Sequence, residues 1–245
     1  MTVQAVLARA IRGAGGDAAT LFGEPLRAVR DGEWRRYWFG IVSPVLVLAL
    51  WLAFRTPGGH AFVRDWGIMR AGDPWPETVA RLPLSLFAPA HLLPAWTAMI
   101  QVAVVFGAAQ VLLGARRTLA LGLGGHILGT LSGRLWVWLG PPVGLTPHWL
   151  HFADAGPSVA AVSLGAYLMV RYRLPWLAGA LLIFHVGEWI TVDGLSQREH
   201  VVGVLVGSSA AAVGAWRRYR RARPQPAVTG EDTRCGARAE ARRPA

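Results

Sequence analysis

The chain has 245 residues, of which 53% are hydrophobic and 16% charged, with a formal net charge of +11. Its apolar residues run in long uncharged stretches instead of amphipathic stripes, which excludes an ordinary soluble domain and points to an all-α, polytopic membrane protein. The positive charge does not indicate nucleic acid, because the arginines gather at the ends of the apolar stretches and in the C-terminal tail, where a positive-inside topology needs them.

Lysine and asparagine are both absent, and the single cysteine, Cys235, lies in the polar tail, so neither a disulfide framework nor a cysteine-based zinc site is available. Residues 1–36 carry Arg9, Arg12, Arg27, Arg30, Arg35 and Arg36 against four acids, with no apolar run able to cross a bilayer. They read as a cytoplasmic N-terminal segment. Residues 37–216 read as the transmembrane domain. Its first span, Tyr37 to Phe54, is uncharged and ends at Arg55, without the cleavage pattern of a signal peptide.

From Arg55 to Pro83 the mixture of Gly, Pro, Trp and both charge signs predicts a long extracytoplasmic loop, with Trp66 and Trp75 near the interface. Span two is expected from Leu86 through His91, Gln101 and Gly107 to Gly114, followed by a tight positive turn at Ala115-Arg-Arg117. Span three, Thr118 to Gly133, carries Gly125, Gly129 and Gly133 at four-residue spacing, a smooth face for close helix packing. Residues 134–153 form a second outer loop.

Span four begins in Asp154-Ala-Gly-Pro-Ser158, with Asp154 as N-cap and Pro157 in the first turn, which sets Ser158 roughly 6 Å below the helix start. Span five runs from Leu174 to Val192 with His185 and Glu188 in its outer half, and Asp193 to Glu199 form a short outer loop. Span six, His200 to Trp216, leads into an Arg/Pro-rich tail, residues 217–245, that cannot bury a core and is expected to be disordered. Six spans with both termini cytoplasmic satisfy the positive-inside rule at every loop.

In this topology Ser158 and His200 lie at similar shallow depth under the outer face. His200, Gly203 and Gly207 share one helical face at i, i+3 and i+7, and the glycines let that face approach a neighbouring backbone. If the neighbour is span four, His200 meets Ser158, and a serine with a histidine base is a workable nucleophile. The first turn of span four and His91 are candidate donors to an oxyanion. The plainer alternative is that Ser158 bonds back to its own helix. His126 and His185 read as polar packing, or as a haem or proton-relay pair if they face each other. His148, His151 and Asp154 have metal-like spacing in a helical segment, but no fourth ligand is evident and no metal is expected.

The residues His91-Leu-Leu, Gly114-Ala-Arg-Arg-Thr118, Gly156-Pro-Ser158 and His200-x-x-Gly203-x-x-x-Gly207 together resemble the rhomboid family of intramembrane serine proteases, over about residues 37–216. The resemblance implies a six-helix, outward-open transmembrane domain without a cofactor, in the plasma membrane of a bacterial-type cell. It implies Ser158 as nucleophile, His200 as base and His91 as an oxyanion donor, with Gly156, Asp154 and Glu199 around them and Gly203 and Gly207 as packing positions. The implied substrates are membrane-anchored proteins within the lipid bilayer. The family's HxxxN reads His91-Leu-Leu-Pro-Ala95 here, Val159 stands where the glycine after the serine belongs, and Glu199 replaces the small residue before the histidine. These departures keep open a non-enzymatic alternative, a pseudoprotease that binds transmembrane segments of client proteins.

Overall fold

The computed structural model describes residues 2–88, 94–141, 144–192 and 194–222. The chain divides into a large body, Met1–Ala212, and a second unit, Val213–Ala245, which is described only as helix and only to Ala222. Residues 223–245, and with them the expected disordered part of the tail, lie outside the described residues.

Among the described residues the architecture is all-helical apart from one pair of two-residue strands. Residues 1–36, expected as a cytoplasmic segment, contain α1 (Val3–Arg30), which packs Leu21 and Ala28 into the core. Its Asp17 Oδ2 accepts the backbone N–H groups of Trp176 and Leu177 at 2.8 and 3.1 Å, capping the start of a later helix, α8 (Pro175–Val192). A segment too polar to span a membrane thus still folds, because a neighbouring helix end supplies unpaired donors.

The first predicted span appears as α2 (Trp34–Ala53) and the second as α5 (Ala95–Leu113). Gln110 joins them, its Oε1 accepting Phe39 N–H at 2.6 Å and its Nε2 donating to the Arg35 carbonyl at 3.3 Å. The Tyr37 hydroxyl donates to the Ala103 carbonyl at 2.7 Å. Helix α5 begins at Ala95 with Pro94 at its N-cap, whereas Leu86, the expected start, closes the preceding helix (Trp75–Ser85); His91 lies outside the described residues.

The expected loop over residues 55–83 is mostly helical: α3 (Pro57–Gly67), strand β1 (Met69–Arg70) and α4 (Trp75–Ser85). Thr56 caps α3 through Gly59 N–H at 3.2 Å, and Arg81 bridges Asp73 at 2.6 Å and Glu77 at 2.8 Å. Arg134 also reaches Thr78 and the Asp73 carbonyl. The Gly and Pro residues that suggested a loop punctuate short helices instead.

The predicted third span lies in the longer α6 (Ala115–Leu139), so Arg134, Trp136 and Trp138 belong to a helix and not to a loop. A 3-10 turn (Pro147–His151) and strand β2 (Ala153–Asp154) follow, and β2 pairs antiparallel with β1, Met69 opposite Asp154. Then come α7 (Ser158–Tyr172), α8, and α9 (Leu195–Ala222). Helix α9 begins at Leu195, so the expected outer loop to Glu199 is its opening turn and His200 sits inside the helix.

Among the described residues four helices, α2, α5, α8 and α9, are long and apolar enough to cross a membrane. Helix α7 is the centre of the body: every residue from Val159 to Ala166 is buried. Its 15 residues extend about 22 Å, less than a bilayer core, which suits a helix surrounded by protein. In α8, by contrast, His185 is the one buried residue.

Candidate functional site

Two helices, α6 and α9, close on the start of α7 through their glycines. The predicted smooth face of α6 packs as its spacing requires: a Cβ at Gly125 would stand 2.5 Å from the Ser163 Cβ, and one at Gly129 would stand 2.5 Å from the Val159 Cγ1. From the other side, a Cβ at Gly203 would stand 3.1 Å from the Val159 carbonyl oxygen and 3.4 Å from the Val162 Cγ1. Gly207 meets the Ser163 carbonyl, with its carbon 2.9 Å from the position a Cβ would take. So α9 lies on α7 through His200's own face. Ser158 is one turn before Val162 and His200 one turn before Gly203, on facing sides of the two helices.

Ser158 is the first residue of α7, not a position deeper within it. The N-cap is Pro157, and no side chain caps the helix, so Asp154 does not have the expected capping role. Asp154 is held in β2 opposite Met69, and burial pushes its carboxyl up to about 6. The first backbone bond of the helix runs from Ala161 N–H to the Pro157 carbonyl at 2.8 Å. The N–H groups of Ser158, Val159 and Ala160 therefore have no partner within the helix, as at any helix start.

Gly156 is buried and takes φ +122°, a conformation that favours glycine. Its N–H is already donated to the Ser85 carbonyl at 2.8 Å, which removes it as an oxyanion donor. Ser85 was invisible in the sequence, yet it fixes two parts of the site. Its hydroxyl donates to the Leu82 carbonyl at 3.0 Å and lies 2.8 Å from His126 Nε2. With its one proton so used, Ser85 accepts from His126. His126 is thus satisfied by α4, and His185 by Glu188; no pairing of the two histidines supports a haem or proton-relay arrangement.

His200 is largely buried, with its side chain 15% exposed, and neither ring nitrogen makes a hydrogen bond among the described residues. Ser158 and His200 are therefore on facing turns but not hydrogen-bonded to one another. The carboxylate beside His200 is Glu188, with Oε2 at 3.6 Å from Nδ1. Glu199, adjacent in sequence, points elsewhere: it is 2% exposed, packs against Gly133 of α6 and lies within electrostatic reach of Asp154. Consecutive residues on a helix do not share a face, so Glu199 cannot orient His200. Glu188 could have been found from the sequence, since His185-x-x-Glu188 is an i, i+3 pair of ionisable groups in an otherwise uncharged span.

His148 and His151 occupy the 3-10 turn, where His148 Nδ1 contacts Thr146 Oγ1 at 2.5 Å. Neither they nor Asp154 converge as metal ligands among the described residues; the group that does is His185, Glu188 and His200. Comparison with family models, with curated proteins and with solved structures returns no match to this chain.

Proposed function

We propose that the chain is a rhomboid-like, multi-pass membrane protein acting as a serine endopeptidase on membrane-anchored proteins. In this reading α2, α5, α6, α7, α8 and α9 are the six spans, with both termini cytoplasmic in a bacterial-type plasma membrane. The observation that supports it is the approach of α9 to the first turns of α7 through Gly203 and Gly207, on the face of α9 that also carries His200.

His200 Nε2 takes the Ser158 proton as the oxygen attacks the scissile carbonyl. The Glu188 carboxylate, on the Nδ1 side, holds the ring and stabilises the imidazolium that forms. The tetrahedral oxyanion is received by the free N–H groups that open α7. His200 then protonates the leaving amine, and water hydrolyses the acyl-enzyme with His200 again as base. The missing asparagine costs about 10²- to 10³-fold in rate if no other donor takes its place, which slows such an enzyme without abolishing it.

One observation favours a second reading. The absent hydrogen bond between Ser158 and His200 is what a client-binding pseudoprotease would show. Labelling of detergent-solubilised protein with a fluorophosphonate probe separates the two. Labelling lost in both Ser158→Ala and His200→Ala is the protease result. No labelling of wild type, beside a reactive rhomboid control, transfers the assignment to client binding.

A further inference from the structure

The one buried residue of α8 is a histidine, although the helix is mostly apolar and its other residues are half-buried or exposed. Its neighbours explain why. His185 and Glu188 lie one turn apart on the same face, with His185 Nδ1 and Glu188 Oε2 2.8 Å apart. From α9, His200 brings its Nδ1 to 3.6 Å from the same carboxylate oxygen, and the two imidazole rings stand 4.9 Å apart between centroids. One ligand atom from each of the three residues lies within 4.8 Å of the others.

We propose that His185, Glu188 and His200 form a binding site for a divalent transition-metal ion, zinc foremost. Bonds of about 2.0–2.1 Å to nitrogen and carboxylate oxygen in a tetrahedral site set ligand atoms about 3.3 Å apart, and the two distances to Glu188 bracket that value. Two imidazoles and one carboxylate suit zinc, and three protein ligands leave a fourth position for water or an exogenous ligand. The independent observation is His200 itself: both of its ring nitrogens are buried and lack a hydrogen bond. An unsatisfied buried imidazole is costly, and a metal on Nδ1 removes one of the two deficits. A hydrogen-bonded His185–Glu188 pair alone would explain those two residues but leaves both ring nitrogens of His200 without a hydrogen bond.

The binding site does not depend on the protease reading. Where that reading holds, a metal on Nδ1 fixes the ring proton on Nε2, and His200 no longer serves as base for Ser158. The ion would then act as an inhibitor of the serine.

The test uses the full chain in detergent, carrying an affinity tag without histidine, after chelator treatment and gel filtration. Co(II) is titrated by its visible absorption and then displaced with Zn(II). The expected result is one equivalent bound with tetrahedral absorption, weakened at least about tenfold in His185→Ala, in the near-isosteric Glu188→Gln and in His200→Ala, and unchanged in His148→Ala/His151→Ala. Gel filtration restricts the comparison to variants that remain folded, and Glu188→Gln keeps it decisive if a histidine variant does not. No binding by wild type, or equal binding by Glu188→Gln, overturns the site. Fluorophosphonate labelling of metal-free protein reports on Ser158 separately, so the two assignments fail independently.

Discussion

Gly207 of α9 sits directly on the backbone of Ser163 in α7, so close that the Ser163 carbonyl carbon would lie 2.9 Å from a Cβ at Gly207. The neighbouring Tyr167 nitrogen would lie at 3.0 Å. Both obstacles are backbone of the central helix α7 and cannot swing aside.

Substitution at this point therefore separates the two helices. Gly207→Val is expected to cost at least about 1–3 kcal/mol through overpacking and to lower the melting temperature in detergent. It should also abolish fluorophosphonate labelling, since His200 rides on the displaced face. Gly214→Val, in the same helix but with only the tip of Arg218 within 3.5 Å of the added Cβ, is the control and should melt near wild type.

Ser158→Ala should behave in the opposite way. The Ser158 hydroxyl makes no hydrogen bond among the described residues, so its removal leaves no orphaned partner. A stability change within about 0.5 kcal/mol is expected, together with complete loss of labelling. A large drop in thermal stability would mean that Ser158 has a structural partner.

Ser85→Ala removes the acceptor of buried His126 while leaving the backbone bond from Gly156 to the Ser85 carbonyl intact. An unsatisfied buried donor costs about 1–3 kcal/mol, and that loss should be visible in thermal unfolding. Pairing it with His126→Phe, which removes the donor as well, should recover part of the loss. Equal destabilisation by the single and double variants would contradict the contact.

The Asp154 carboxyl has a pH signature. It holds its proton up to about pH 6 in the folded chain, whereas an unfolded chain releases it near 4. Between those values the folded state binds more protons, so this group's contribution to stability falls as pH rises from about 4 to 6 and is level above. Asp154→Asn, which cannot ionise, should flatten that part of the melting-temperature profile. An identical slope in wild type and variant would assign the pH dependence to other groups.

Much of the site was legible in the chain because helix periodicity is local. Gly125, Gly129 and Gly133 at four-residue spacing announce a face that admits a close neighbour, and the structure fills it with Ser163, Val159 and Glu199. His200, Gly203 and Gly207 declare a second such face in the same way. Apolar run length was sufficient to mark α2, α5, α8 and α9 as helices able to cross a membrane.

What the sequence could not decide was which side chains meet across those faces. Glu199 is adjacent to His200 in the chain, but a 100° step per residue turns it toward Gly133 and Asp154. Asp154 looked like a helix cap because of its residue type, but strand pairing with Met69 takes its backbone and Pro157 opens the helix. Ser85 and Glu188 acquire their roles from contacts with His126, Gly156, His185 and His200, residues brought in from other elements. Composition and spacing determine each helix and the face it can bury. Only the packing of α6 and α9 on α7, of α4 on α6 and of α8 beside α9 determines which polar groups share a buried space, because that depends on rotation and register between helices that no single segment encodes.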